Sequence, residues 1–412
     1  MLAVNARGGA VLVVLGTLCG RLLLAGTLPL TEAEVVLWAQ ARGVLEGDVP
    51  AAALLVTGST DAFGQTALGI RALGVVISGL APLLLLRHCT DPLRFAMLLL
   101  GLPGLVWGGL LAGNGPLLFA GGCTAVSGAL GGSWLFAGAG VAMAARGDLA
   151  ALALWPLLWM TAPGSWRQML PGVALSLLAT GPSFVRQARD GLDGSVLAEV
   201  PLALLYGNPG LLLVAAAAGI VALRRRGVDT GPSPTLLCLA VGLVLVPTNA
   251  SASGYAALAL GTSLAVGQLG RGSWVAAGLG LLVSAGLVAH SYRPLLFFEG
   301  DPTARLGVGA DLGRAVEAWG VEPVYTSSVE DAALIAYHGG VESFVLPGPA
   351  AEHALFVRPW SGGPTTAAES FCAERGGPNV VSEYNEDGTA LERWQVYEVW
   401  GCDPSGPVPV TR

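Results

Sequence analysis

Apolar residues over the first 290 positions come in long unbroken runs, without the period of an amphipathic helix or strand. Runs of roughly 15–22 residues lie near 10–30, 66–86, 93–112, 116–129, 132–145, 149–162, 169–185, 198–223, 233–248, 254–268 and 273–290, and about 20 apolar residues cross a bilayer as a helix. The pattern predicts a polytopic α-helical membrane protein of about eleven spans over residues 1–290. The runs at 116–129, 132–145 and 149–162 are short. They are expected to be tilted, re-entrant or buried among other helices, because an incomplete crossing needs protein to shield its backbone polar groups. No small-residue cleavage site and hydrophilic mature start follow the first run, so it reads as a span and not as a removable signal.

The pattern changes over 291–412, which is read as a small water-soluble α/β domain. Leu312, Ala315, Val316 and Trp319 have helical spacing, Val324-Tyr325 reads as a strand, and Asp331 to Tyr337 as a second helix. Phe344-Val345-Leu346, Ala354–Val357 and Trp394–Val399 are further strands. Ser327-Ser328-Val329-Glu330 has capping-box spacing, with Ser327 expected as N-cap and Glu330 reaching back to the free amides.

Composition agrees with two solvents for one chain. Hydrophobic residues make up 53% and charged residues 12%, against about a quarter charged in a soluble protein. The 60 glycines suit helices that approach closely in lipid, where small residues take over as the packing device. All 21 basic residues are Arg. Leu2–His290 holds 14 Arg and 11 acids, whereas Ser291–Arg412 holds 7 Arg and 17 acids. Such an acidic tail lacks the clustered positive charge of a nucleic-acid binder.

Arg in short loops marks the cytoplasmic side. With eleven crossings, Arg7, Arg87, Arg94, Arg167, Arg224-Arg225-Arg226 and Arg271 fall on that side. The acid-rich stretch Thr31–Gln65 and the C-terminal domain then lie outside a cell inner (plasma) membrane, together with Arg186 and Arg189. Arg21 lies inside the first span, where a charge faces a cavity or a partner more often than lipid. Cys372 and Cys402 are the soluble domain's only cysteines; an exported pair permits a disulfide, and two free thiols fit equally. The four His residues show no metal-ligand spacing.

The stretch with the most chemistry follows the first span. Glu32 and Glu34 sit in Thr31-Glu32-Ala33-Glu34-Val35-Val36-Leu37-Trp38, read as a short interfacial helix with Trp38 at headgroup depth. Asp48 follows in a Gly- and Pro-containing turn, Glu46-Gly47-Asp48-Val49-Pro50. These acids are candidates for chemistry; they also suit a helix N-terminus, whose dipole favours acids without any further role.

The run from Arg21 through Thr31-Glu32-Ala33-Glu34 to Leu37-Trp38-Ala39-Gln40 resembles the end of the first span and the first external loop of GT-C glycosyltransferases, in the group of protein O-mannosyltransferases and aminoarabinose transferases. That family's pattern is Asp-Glu-Ala-Tyr-Tyr-x-x-Trp-Ala, then an acid before prolines, a Gly, and an Arg in the second span. Asp48-Val49-Pro50, Phe63-Gly64 and Arg71 take those places. Asn114-Gly115-Pro116-Leu117-Leu118-Phe119 is similar to its Asp-x-Pro-Leu-Leu-Phe, and Thr248-Asn249-Ala250-Ser251-Ala252-Ser253-Gly254-Tyr255 to its Asn-Trp-Pro-Ala-Pro-Ala-Tyr. Asp301-Pro302-Thr303 with Val345-Leu346-Pro347-Gly348 looks like the family's exported closing domain.

The resemblance implies a polyprenyl-phosphate sugar as donor and transfer on the external face through a first-loop carboxylate. Glu32, Glu34 and Asp48 become the catalytic candidates, with Arg71, Asn114, Arg186 and Arg189 as substrate-binding ones. A divalent metal is a possible helper to the leaving phosphate, beside or instead of Arg. Two positions depart from the pattern: Thr31 stands at the family's catalytic Asp, and Asn114 at a second acidic position. A Thr hydroxyl cannot act as a base near neutral pH, so the role would pass to Glu32 or to Glu34, which shares a helix face with Thr31. The alternative is an inactive GT-C-fold homologue, a structural or lipid-binding subunit with protein partners in a membrane complex. A transporter is disfavoured, since the spans show no inverted repeat.

Overall fold

The structure, a computed structural model, describes residues 2–45, 50–89, 91–100, 110–147, 151, 152, 154, 155, 158, 166–190, 282, 285, 308–346, 349–360, 372–377, 379–384 and 390–402. The chain divides into two compact units, Met1–Thr27 with Gly58–Gly300, and Leu28–Thr57 with Asp301–Arg412.

In the first unit, α1 (Leu2–Thr27) packs against α4 (Ala67–Leu80), which α5 (Leu83–Leu86) continues after a turn, and against α6 (Pro92–Leu100). Among the described residues two stretches are long and apolar enough to cross a membrane, Ala6–Thr27 with mean hydropathy 1.9 and Ala67–Leu86 with 2.0. Only 22% of the first is buried within the protein. Leu12 and Leu23, each 71% exposed, show how α1 meets its solvent: such leucines belong in lipid.

The expectation for short apolar runs is met by α7 (Gly115–Leu130), of which nearly every residue from Pro116 to Ala129 is buried. It lies against α8 (Trp134–Gly147), which in turn meets α9 (Trp166–Asp190). A Cβ added at Gly140 would stand 2.3 Å from the amide nitrogen of Ala125, so α7 and α8 touch backbone to backbone and only glycine fits there. The core around this contact gathers Phe119, Cys123, Val126, Trp134, Val141 and Trp155. Trp155 Nε1 donates to Ser176 Oγ on α9 at 3.0 Å, so a buried polar pair is satisfied inside the apolar bundle.

In the second unit a six-stranded mixed sheet runs β2-β1-β3-β6-β4, with β5 also on β6. The strands are β1 (Val324–Thr326), β2 (Ser343–Val345), β3 (Ala351–Pro359), β4 (Cys372–Arg375), β5 (Asn379–Tyr384) and β6 (Ala390–Cys402). β1 is parallel to β2 and β3, while β6 is antiparallel to β3, β4 and β5. Alternate residues face opposite ways. Leu355, Val357, Trp394 and Val396 therefore join Leu312 and Val316 of α10 (Ala310–Trp319) and Ile335 of α11 (Val329–Gly339) in one core. Phe356, Tyr397 and Val399 point the other way, toward Tyr325 and the disulfide between Cys372 and Cys402.

The sequence places the N-cap of α11 at Ser327, and the structure places it one residue later. Ser328 Oγ accepts from Asp331 N at 3.0 Å, because the SSVED run holds two overlapping Ser-x-x-acid patterns. The helix stops at Gly340, whose φ of 64° lies in the left-handed region that Gly occupies without a Cβ penalty. Strands β4 and β5 were not expected from the sequence. Neither was α3 (Ala51–Phe63), which forms inside a stretch read as external loop.

Candidate functional site

The first loop enters the second unit as α2 (Glu32–Ala41). Thr31 holds an extended backbone, and its Oγ1 accepts from Glu34 N at 3.3 Å. In return, Glu34 Oε2 accepts from Thr31 N at 2.9 Å and from Thr31 Oγ1 at 3.2 Å. This is a reciprocal capping box. Glu34 is 1% exposed, so its carboxylate faces the chain itself, and Thr31 serves as the helix cap.

α2 then lies along α11. Trp38 is 7% exposed and meets Tyr337 edge to face, with ring centroids 5.1 Å apart at 76°. The indole expected at headgroup depth is thus a buried contact within the second unit.

Glu32, half-buried, points along a different face. It lines a cavity of about 340 Å³ together with Ser328, Glu330 and Asp331 at the start of α11, Glu392 and Trp394 on β6, and Pro359 at the end of β3. Pro359 and Trp394 are register partners across β3 and β6, so the sheet forms one wall and two helix N-termini form another. That volume lies at the small end of ligand pockets, about right for one sugar ring. Asp331 is 5% exposed. Its Oδ1 accepts from Trp394 Nε1 at 2.8 Å, while Oδ2 is buried with no hydrogen-bond partner. Burial first, then the charges of Glu392 and Glu330, push its carboxyl above the usual range, against the hydrogen bond from Trp394. Four carboxyl groups around one small space favour a neutral, hydroxyl-rich or cationic guest and repel a phosphate.

The remaining candidates belong to the first unit. Arg71 is 1% exposed, and its guanidinium donates to Ala25 O at 3.2 Å, in the last turn of α1. Asn114 is exposed at the start of α7, with no side-chain cap bond. A Cβ at Gly74 would lie 3.1 Å from Pro116 Cγ, so Arg71 and Asn114 stand at the same end of the α4–α7 pair. Arg186 and Arg189 fall near the end of α9, and their side chains lie outside the described residues, as does Asp48. Among the described residues no three His, Cys, Asp or Glu side chains converge to hold a metal ion. The described part of the site therefore does not fit one.

Glu330, Asp331, Glu392 and Trp394 were not anticipated as site residues. The only sequence signal was the acidic first turn of α11, which has an ordinary explanation in the helix dipole.

No protein-family model matches the sequence, and no curated protein matches it either. Two solved structures do match. The crystal structure of ArnT from Cupriavidus metallidurans bound to undecaprenyl phosphate superposes with TM-score 0.52 at 13% identity, covering 95% of this chain and 98% of that one. The apo state of ArnT from the same organism gives TM-score 0.51 at 15% identity, covering 96% and 98%. The chain shares the fold of ArnT. At this identity the likeness establishes architecture, the polytopic helical membrane fold with a small sheet, and leaves chemistry to be argued from the residues.

Proposed function

We propose that the chain is a GT-C-type membrane transferase that moves a sugar from a polyprenyl-phosphate donor to an extracytoplasmic acceptor, with Glu32 as general base. The observation that carries this reading is the Glu32 carboxylate lining a ring-sized, hydroxyl-tolerant cavity, in a fold shared with a protein crystallised on undecaprenyl phosphate. In the step proposed, the acceptor oxygen bonds to the anomeric carbon, the bond from that carbon to the phosphate oxygen breaks, and the electron pair leaves with the lipid phosphate. The acceptor's proton passes to Glu32. Glu34 does not compete for this role, since its carboxylate is enclosed and bonded to Thr31. The disulfide between Cys372 and Cys402 supports an exported second unit, because such bonds persist in oxidising compartments. The eleven crossings, the boundary near residue 290 and substrate roles for Arg71, Asn114, Arg186, Arg189 and Asp48 belong to the same proposal.

The test is transfer in proteoliposomes from a panel of polyprenyl-phosphate sugars. Glu32→Gln is expected to lower the rate at least 100-fold, within the range of a lost general base. Glu34→Gln keeps a residue that completes capping boxes and is expected to retain transfer. Full activity in Glu32→Gln would remove the base assignment.

A second reading, a non-catalytic homologue that binds lipid or protein partners in a membrane complex, is favoured by one observation. Thr31 has been absorbed into a helix cap, and Asn114 stands at the other acidic position. Lipid binding without transfer from any donor in the panel would select it.

A further inference from the structure

Of the acids that line the Glu32 cavity, Asp331 is the most enclosed. Two neighbours fix its orientation. Its backbone N–H donates to the capping Ser328 Oγ at 3.0 Å, and Trp394 Nε1 comes to its Oδ1 from β6 at 2.8 Å. An indole nitrogen only donates, so Oδ1 can only accept. A proton on this carboxyl therefore sits on Oδ2, the oxygen that is buried with no hydrogen-bond partner.

The surroundings decide that the proton is retained. An ionised carboxylate with an oxygen left unpaired costs far more to enclose than a neutral carboxyl. The charged groups around the cavity are Glu32 from α2, Glu330 from the same helix and Glu392 from β6, and no Arg lines it to offset them. Burial, then Glu392 and Glu330, accordingly hold Asp331 above the usual carboxylate range. In its neutral form Asp331 donates, while the three Glu carboxylates accept. Sugar hydroxyls do both, and a wall of this kind meets both needs. Val308, Leu334 and Pro359 add apolar surface for the C–H groups of a ring.

We propose that the cavity is a subsite for an uncharged sugar ring of the acceptor, and that Asp331 is its specificity-determining residue, donating from Oδ2 to an oxygen of the guest. The inference deepens the transferase reading and rests on it for the guest being the acceptor. Ring binding itself is measured without transfer.

Full-length protein in detergent is titrated with glucose and galactose and with their uronates, glucuronate and galacturonate, and affinities are read by saturation-transfer NMR from about pH 4 to about pH 9. At least one neutral sugar should bind, and its uronate should bind at least about tenfold more weakly. Asp331→Asn keeps an acceptor for Trp394 and places an amide donor where Oδ2 was. The ratio of wild-type to Asn affinity, which cancels the titration of the three Glu residues, should fall at least about fivefold as pH rises through the titration of Asp331. Asp331→Leu should weaken sugar binding at least about fivefold below that titration, and the Asn variant carries the test if the Leu variant fails to fold. No binding of either neutral sugar, a uronate that binds as well as its parent, or a wild-type to Asn ratio that does not change with pH would each overturn the proposal. Those results can occur while Glu32→Gln still abolishes transfer, and loss of the Glu32 base assignment leaves the binding results standing, so the two readings fail separately.

Discussion

If α2 is seated on α11 by the Trp38 ring, then removing the ring and removing only its N–H must have opposite consequences. Trp38 is 7% exposed, so nearly all of the roughly 150–250 Å² that such a side chain offers is buried. At about 25 cal/mol per Å² this is about 4–6 kcal/mol of transfer free energy. Trp38→Ala forfeits most of it and the edge-to-face contact with Tyr337, giving an expected loss of about 3–5 kcal/mol. Trp38→Phe gives up about 1 kcal/mol of area, but it also deletes Nε1, a buried donor with no acceptor, whose desolvation costs about 1–3 kcal/mol. The Phe variant should therefore lie between wild-type stability and about 2 kcal/mol above it. Pulse proteolysis of the full-length protein across a urea series would read both values. A Phe variant as damaged as the Ala variant would mean that the indole N–H is bonded in solution. An Ala variant costing under about 1 kcal/mol would mean that the ring is not the anchor.

Two further outcomes follow from the second unit. Cys372 and Cys402 are 30 residues apart in sequence, and loop-closure entropy at that length is about 3.6 kcal/mol; Cys372→Ser with Cys402→Ser should lower its stability by roughly 2–4 kcal/mol, and no change in urea midpoint would argue against a native bridge. Asp331 has its carboxyl held above the ordinary value of 3.8, so its contribution to stability is fully present below that value and is lost as pH rises through the raised one. Asp331→Asn should therefore be more stable than wild type at pH 7, with the advantage vanishing below about pH 4, and a urea series that shows the opposite slope would refute the burial argument.

What the sequence makes legible depends on which solvent writes the pattern. α1, α4, α7 and α9 follow from apolar runs, because lipid demands continuous apolarity and a helix satisfies its own backbone there. α3 is hidden because Thr57, Ser59, Thr60 and Asp61 interrupt its apolar start, so a hydropathy reading sees a loop. The cap of α11 slips by one because Ser327 and Ser328 are adjacent and each has an acid three residues on; only the fold decides between them. β4 and β5, with Glu374, Arg375, Asn379 and Glu383, lack apolar alternation and exist because β6 is 13 residues long, offering a template that two short strands share. The site divides the same way. Glu32 is readable from its place after a span, whereas Asp331 and Trp394 meet across 63 residues through strand pairings that no local pattern announces.

Charge then constrains where each half of a substrate can go. A phosphate brought within about 6 Å of a single carboxylate, at an effective dielectric near 20, meets about 3 kcal/mol of repulsion, roughly a hundredfold in affinity. The cavity at Glu32 has Glu330, Glu392 and Asp331 on its walls and no Arg, so a donor phosphate there would face that penalty more than once. A neutral, hydroxyl-bearing acceptor is not repelled there. The cavity therefore suits a neutral, hydroxyl-bearing guest better than an anionic one. Added salt should then change acceptor binding only slightly, because screening acts on charged guests and the favoured guest is neutral, and a steep salt dependence of acceptor affinity would refute that charge argument.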